Sequence, residues 1–308
     1  MKRKILMMTL IVCLIISMSA CTTNTSGDEG NSNGDATTYP LTITDDLGNE
    51  VTFDAAPEKI VSVAPSNTEI LFALELEDKL VGRSDYCNYP EEAASIESVG
   101  SYAEPNTESI INLDPDVVFS FTSVPEDAKQ LLEGAGMKVV IFNPANIDGV
   151  LSNIEVIGKI CNVQEKSAEI IDTMKNKRQG IMDKIATQET KTVFIDLGSF
   201  YSVGPKSFID SILVELNVNN VAGDAETQWP QLSLEKIIEA NPDVYISTYS
   251  SLEDLQAING LEVIDAFKND GVIVIPWGTA ENDIVQRPGP RIIDGLEIYA
   301  KSIYPDAF

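Results

Sequence analysis

The segment ESIINLDPDVVFS, from Glu108 to Ser120, returns 127 residues later as EKIIEANPDVYIS, from Glu235 to Ser247. Seven of the thirteen positions are identical. In each copy a helical pattern stops at Pro-Asp and a buried strand follows, because the residue before proline is disfavoured in the α conformation. The repeat predicts two similarly built lobes with a ligand cleft between them. We expect its own Glu, Ile and Pro residues to be structural.

The N-terminus has the features of an export signal. Three cations, Lys2 to Lys4, precede an apolar run from Ile5 to Ile16, and small residues then lead to Cys21. The Ser-Ala-Cys sequence is similar to the lipid-attachment site of bacterial lipoproteins. It predicts a signal peptide at 1–20, lipidation of Cys21, and a flexible tether over 21–38 on the outer face of the cytoplasmic membrane. An ordinary secretory signal or a retained membrane anchor is the alternative.

The composition excludes several classes of function. The chain has 48 acidic and 21 basic residues, a formal net charge of −27, so nucleic acid is not an expected partner. It contains no histidine, which excludes Ser-His-Asp and Cys-His catalysis and every zinc site that uses histidine. We predict no metal site and no cofactor. Hydrolysis by a carboxylate pair is a distant alternative. Cys87 and Cys161 are expected to be free thiols, with one disulfide between them as the alternative.

The body of the chain alternates strand and helix patterns on both sides of a long helical segment. LTITDDLGNEVTF, over 41–53, predicts a β-hairpin. Patterns typical of Rossmann-like α/β lobes then occupy 39–145 and 189–308. Residues 146–188 between them are helical with one break, and the second part would span about 33 Å at 1.5 Å per residue. We therefore predict an α/β fold of two similar lobes joined by a rigid backbone helix.

A resemblance to a known family follows from these features and from two segments, SVAPSNTEILFALELEDKLVG and WPQLSLEKIIEANPDVYIS. The chain from about Leu41 onward resembles the substrate-binding lipoproteins of type II ABC importers, which carry cobalamin, ferric siderophores and haem. SDYCNYP, the Trp229-Pro230-Gln231 triplet, and Asp283 with Arg287 are similar to the cobalamin-binding members. The resemblance implies a monomeric, non-enzymatic receptor that delivers a corrinoid to a permease dimer with its ATPase subunits. A ferric-siderophore or haem receptor is the alternative.

The same resemblance implies the ligand-binding residues. A corrin is a broad apolar ring fringed with amides, so its site needs aromatic walls and a few polar groups. In α/β folds such groups lie in the loops after strands. By the family pattern they are Pro65, Tyr86, Tyr102, Phe121, Tyr201, Trp229, Asp283 and Arg287.

Further expectations concern neighbouring residues. Tyr89 is expected to pack in the core. Asp283 and Arg287 are four residues apart and would pair on a helix. For an anionic chelate the candidate cations are Arg83, Arg287 and Arg291.

The resemblance also implies how the receptor docks. In that family, one glutamate at the start of a helix on each lobe pairs with arginines of the permease. The matching residues here are Glu69 in PSNTEIL and Glu215 in SILVELNV. Two similar lobes that meet a two-fold permease explain why each lobe carries one such glutamate.

Overall fold

Two four-stranded parallel sheets organise the chain in the computed structural model, which describes residues 36–121 and 124–308. Cys21, the predicted signal peptide and most of the predicted tether lie outside the described residues. The sheets belong to two lobes of an α/β fold, so the predicted fold class is confirmed. Within the described ranges, no helix is both long and apolar enough to cross a membrane.

The predicted hairpin precedes the first lobe. Strands β1 (Leu41–Thr44) and β2 (Glu50–Phe53) pair antiparallel. The turn closes because the carboxylate of Asp45 accepts the backbone N–H groups of Leu47 at 3.0 Å and Asn49 at 2.8 Å. Alternate side chains point to the core, where Phe53 is fully buried.

The first lobe has the strand order β4-β3-β5-β6. Its buried strands are apolar runs, as expected for a parallel sheet that is covered on both faces. Its strands are β3 (Ile60–Ser62), β4 (Leu80–Arg83), β5 (Val117–Ser120) and β6 (Lys138–Ile141), and its helices are α1 (Pro65–Ala73), α2 (Thr107–Leu113) and α3 (Glu126–Gly134).

The predicted helical segment forms two helices. Helix α4 covers Ile147–Ile160 and helix α5 covers the 22 residues Gln164–Ile185. The break between them contains Asn162 in a left-handed conformation (φ 59°). One hydrophobic core continues from the first lobe through these helices to the second lobe.

The second lobe has a corresponding parallel sheet with the strand order β10-β9-β7-β8. Its strands are β7 (Thr192–Asp196), β8 (Asn219–Asn220), β9 (Val244–Ser247) and β10 (Val272–Val274). Its helices are α6 (Phe208–Glu215), α7 (Leu234–Ala240), α8 (Leu252–Gln256), α9 (Asp265–Lys268), α10 (Ala280–Gln286) and α11 (Ile292–Ile303). Helix α11 packs against α10 and against the long helix α5.

The sequence repeat has the same structure in both lobes. Helices α2 and α7 end at left-handed residues, Asp114 (φ 51°) and Asn241 (φ 44°), a conformation that Asp and Asn tolerate. After the proline, Asp116 accepts two backbone N–H groups just before β3, at 2.7 and 2.9 Å. Asp243 accepts one at the start of β7, at 2.7 Å. The repeated Pro-Asp therefore stops a helix and ties its strand to the neighbouring strand.

Candidate functional site

A cavity of about 720 Å³ lies between the two lobes. One wall consists of residues that follow strands β3, β5 and β6, and the opposite wall consists of residues that lead into helices α6 and α7. The turn between α10 and α11 closes one side. Carboxyl ends of parallel strands and N-termini of the helices beside them share one edge of a sheet, which explains why both lobes contribute loops to one cleft.

Five of the eight predicted ligand-binding residues line this cavity. They are Pro65, Tyr102, Phe121, Trp229 and Arg287.

The other three, Tyr86, Tyr201 and Asp283, lie outside the lining. The ring of Tyr86 packs edge-on against that of Tyr102, with 5.6 Å between ring centroids. Tyr201 pairs through its backbone with Gln231. Asp283 reaches the cleft through its ion pair with Arg287, at 2.8 Å, which is the expected pair four residues apart.

Trp229 is held by a backbone ladder. The backbone N–H groups of Ser202 and Gly204 donate to the carbonyls of Pro230 and Gln228, both at 2.8 Å. A side chain at Gly204 would place its Cβ 2.1 Å from the carbonyl oxygen of Thr227, so only glycine permits this approach. Trp229 is 52% exposed and lines the cavity. A large exposed ring on a rigid support is typical of a binding wall.

A strained turn supports Tyr201. Gly198, Ser199 and Phe200 all have positive φ, at 105°, 51° and 62°. The buried carboxylate of Asp196 at the end of β7 accepts the N–H groups of Gly198 and Phe200 at 2.9 and 3.1 Å, and the hydroxyl of Tyr245 donates to it at 2.8 Å. Burial raises the pKa of Asp196. These three hydrogen bonds hold a backbone conformation that non-glycine residues rarely adopt.

Glu69 is buried in an ion-pair network, and this does not fit its predicted docking role. Its side chain is 2% exposed. Arg291 binds both carboxylate oxygens, at 2.8 and 2.7 Å, and Arg287 lies at 3.2 Å. Glu69 is in α1 of the first lobe, whereas the arginines flank the turn between α10 and α11. The carboxylate joins the two lobes, and it has no free face for a permease arginine.

Tyr89 is not a core residue but packs against Arg291. The guanidinium of Arg291 lies 3.6 Å from the centroid of its ring, and the residue is 45% exposed. The expected core packing is therefore wrong. The ring instead covers the arginine that holds Glu69, in a cation–π contact.

Glu215 also has an internal partner. It is the last residue of α6, and Arg178 of α5 binds its carboxylate through two nitrogens, one of them at 2.9 Å. The side chain is 16% exposed, and Arg178 also contacts Asp148. This pair attaches the second lobe to the long helix. Like Glu69, Glu215 does not have the free carboxylate that docking requires.

Two glutamates of the sequence repeat, Glu108 and Glu235, are exposed at equivalent helix positions in the two lobes. Glu108 and Glu235 are both the second residue of their helices, α2 and α7, and both are exposed. In the part of the chain that the structure describes, no cation lies within 4 Å of either carboxylate. The repeat places one exposed acid at the same helix position in each lobe. The prediction that these glutamates are structural stays a prediction.

Several cavity residues carry no signal in the sequence. They lie in loops or in the first or last turn of a helix beside the cleft, and they are Asn143, Pro144, Lys206, Phe208, Gln228 and Gln286. The helix-start signals in the sequence indicate some of these residues. Ser207 is the N-cap of α6 and Pro65 begins α1. The loops before these two helices are therefore equivalent sites in the two lobes.

The lining of the cavity contains aromatic rings, amide side chains and cations. No cluster of three or more cysteines and carboxylates that could hold a metal ion occurs in 36–121 and 124–308. Cys87 and Cys161 are buried free thiols, and burial raises the pKa of Cys161 to about 12. A thiol with so high a pKa is a poor nucleophile at neutral pH. The cavity offers aromatic faces, amides and cations, which bind and orient a ligand.

Comparisons with known proteins cover both lobes. The sequence profile described as periplasmic binding protein matches residues 60–277. An uncharacterized ABC transporter substrate-binding lipoprotein of Bacillus subtilis is 36% identical over 281 residues, 88% of this chain and 87% of that protein. A cobalamin-binding protein of Halobacterium salinarum is 27% identical over 284 residues, 87% of this chain and 75% of that protein.

A solved structure shares the fold. The crystal structure of a possible iron-binding, periplasmic solute-binding protein from Staphylococcus epidermidis superposes with a TM-score of 0.70 at 28% identity. The match covers 81% of this chain and 100% of that one.

Proposed function

The chain belongs to the periplasmic binding protein family, and from that premise we propose that it captures a corrinoid outside the cytoplasm and delivers it to an ABC permease. It is a substrate-binding protein of the ABC importers that serve vitamin B12, haem and siderophores. The proposal gives it a non-enzymatic role, a corrinoid as its ligand, and a permease dimer with ATPase subunits as its partner.

The observation that carries the ligand assignment is the composition of the cavity. Its volume of about 720 Å³ is that of a small-molecule site. Trp229, Phe121 and Tyr102 supply aromatic rings on both walls, and the amide side chains of Gln228 and Gln286 also line the cavity. This combination matches a flat apolar ring that carries amides on its rim.

An absorbance titration tests the assignment, because corrinoids, haem and ferric chelates have distinct visible spectra. We expect cyanocobalamin and aquocobalamin to bind with a Kd at or below about 1 μM, which corresponds to about −8 kcal/mol. Ferric hydroxamates and haem should bind more weakly. Micromolar binding of a ferric chelate without any binding of a corrinoid would overturn the proposal.

A ferric-siderophore or haem receptor is the second candidate. The iron-binding description of the Staphylococcus epidermidis relative supports it. Phenolate oxygen can ligate ferric haem in a chain without histidine. Tyr102 in the cavity lining, with Tyr86 packed against it, would supply that oxygen. The titration distinguishes the two candidates.

Trp229→Ala is expected to weaken binding of cyanocobalamin by about 1 to 3 kcal/mol, because it removes a ring wall from the cleft. This corresponds to a rise in Kd of about 5-fold to 150-fold. The matched control is Trp277→Ala, since Trp277 is 67% exposed and does not line the cavity. An unchanged Kd in the Trp229 variant would show that the indole is not a wall of the site.

For docking, we propose Glu108 and Glu235 in place of Glu69 and Glu215. Both carboxylates are exposed at helix starts on the strand-end edge of their sheets, the edge at which the cleft lies. A permease that receives the ligand from this cleft would meet both acids together. Neither has an internal cation to displace within the described residues, so both are available for arginines of a partner.

Anchoring by lipid at Cys21 is the third part of the proposal, supported by the lipoprotein relative in Bacillus subtilis. A Cys21→Ala variant is expected to appear in the soluble fraction outside the cytoplasmic membrane, because the acyl chains attached at this cysteine would hold the protein at the bilayer. Fractionation and immunoblotting check this. Retention of the variant in the membrane would contradict a lipid anchor.

A further inference from the structure

Among the described residues, two cations line the cavity, Lys206 and Arg287. The charge of Arg287 is compensated from within the protein. Its guanidinium lies 2.8 Å from Asp283 and 3.2 Å from Glu69, donates to the side-chain oxygen of Asn88 at 2.7 Å, and is 15% exposed. A guanidinium with two acids and an amide as partners has little capacity left for an anionic ligand.

Lys206, unlike Arg287, has no acidic partner among the described residues. It is exposed at the cavity, and no carboxylate lies within 4 Å of its ammonium in the part of the chain that the structure describes. Its backbone, however, is well held. The residue has a left-handed conformation (φ 67°), and its carbonyl accepts the side-chain amide of Gln228 at 2.9 Å, next to Trp229. The backbone at Lys206 is therefore fixed, whereas its ammonium group has no carboxylate partner in the described structure.

Lys206 lies directly before the N-terminus of helix α6. The next residue, Ser207, is the N-cap of α6, and its hydroxyl accepts the backbone N–H of Asp210 at 3.2 Å. The first turn of α6, with Phe208 and Ile209, also lines the cavity. The N-terminus of a helix carries a partial positive charge, but the carboxylate of Asp210 in the same turn offsets it, so the attraction for an anion comes from Lys206 itself.

We propose that Lys206 is the residue that binds the single anionic group of the ligand, the phosphodiester of a corrinoid with a nucleotide tail. This inference rests on the proposed corrinoid receptor. One free cation balances one negative charge, whereas a trianionic ferric chelate would bring two further charges without partners into the cleft. Lys206 therefore distinguishes complete corrinoids from those that lack the tail, and it disfavours polyanionic ligands.

The test compares two corrinoids that differ in this group. Cyanocobalamin has the phosphodiester and dicyanocobinamide lacks it. In Lys206→Gln, we expect the Kd for cyanocobalamin to rise about 10-fold, the value of one charge-assisted hydrogen bond. The Kd for dicyanocobinamide should stay within about twofold. Added salt should weaken cyanocobalamin binding in the wild type and have a smaller effect in the variant.

Two further variants complete the design. Lys206→Arg should retain most of the affinity for cyanocobalamin, since it keeps the charge. Lys236→Gln removes one exposed lysine that pairs with Asp224 outside the cavity, and should change neither Kd.

Each outcome decides the inference. Equal weakening of both corrinoids by Lys206→Gln, or no weakening of either, overturns the assigned role and leaves the corrinoid receptor intact. A wild-type protein that binds neither corrinoid overturns the proposed function and, with it, this inference. Weakening of cyanocobalamin alone, with restored affinity in Lys206→Arg, supports it.

Discussion

Reversal of Glu108 and Glu235 together to arginine is expected to abolish ligand uptake while the affinity of the isolated receptor stays unchanged. Both carboxylates are exposed at the second position of their helices and neither lines the cavity. Each reversal replaces an attraction to a permease cation by a repulsion, and like charges in contact cost several kcal/mol. Because the two sites are equivalent on two lobes, each single reversal should give a partial loss.

The measurement is uptake of labelled ligand in cells that express the cognate permease, together with a titration of the purified receptor. The matched control reverses Glu50 and Glu189, which are also exposed and change the net charge by the same amount. Normal uptake with the reversed pair would show that docking uses other charges. Loss of ligand affinity would show that the substitutions damage the cleft.

Glu69→Gln is expected to lower the free energy of unfolding by about 3 kcal/mol. The substitution leaves two guanidinium groups, each about one-seventh exposed, without the carboxylate that binds both. Removal of one partner of a buried ion pair is strongly destabilising because the remaining charge keeps its desolvation cost. Arg287 retains Asp283 at 2.8 Å, whereas Arg291 loses its carboxylate partner.

Denaturant unfolding, followed by circular dichroism, measures this effect. Glu215→Gln is the matched control, since its partner Arg178 is more exposed and keeps Asp148. We expect the control to cost about 1 kcal/mol, as for a partly exposed pair. Combining Glu69→Gln with Arg291→Gln should restore part of the loss. Equal costs for Glu69→Gln and Glu215→Gln would contradict the distinction between a buried and a peripheral pair.

The repeated segment was sufficient to predict the two-lobed α/β fold, because its signals are local. Apolar periodicity marks helix and strand, and the Pro-Asp stop acts on the residue directly before it. The same locality explains the success with the hairpin over 41–53 and with the long helix that ends at Ile185. The hairpin pairs two neighbouring segments and the helix bonds within itself, whereas the strands of the repeat also need the neighbouring strands of their sheets.

The binding site was predictable in part. Trp229, Phe121 and Tyr102 lie in loops at the strand-end edge of the sheets, and the resemblance to the family implied these three residues. Lys206 and Gln228 belong to the same lining but come together through tertiary packing, with a hydrogen bond across 22 residues of chain. No local pattern marks such a contact.

Local sequence patterns were enough to predict the class of fold and the existence of a cleft, and the family resemblance implied most of its aromatic walls. Which charges are free depends on contacts between distant parts of the chain. Glu69 meets its arginines across 218 and 222 residues of chain, and once paired and buried it is lost to any partner. Glu108 and Glu235 have no such internal cation in the described structure and remain exposed. A carboxylate has the same chemical identity in all three positions, and its availability depends on the neighbours that folding brings to it.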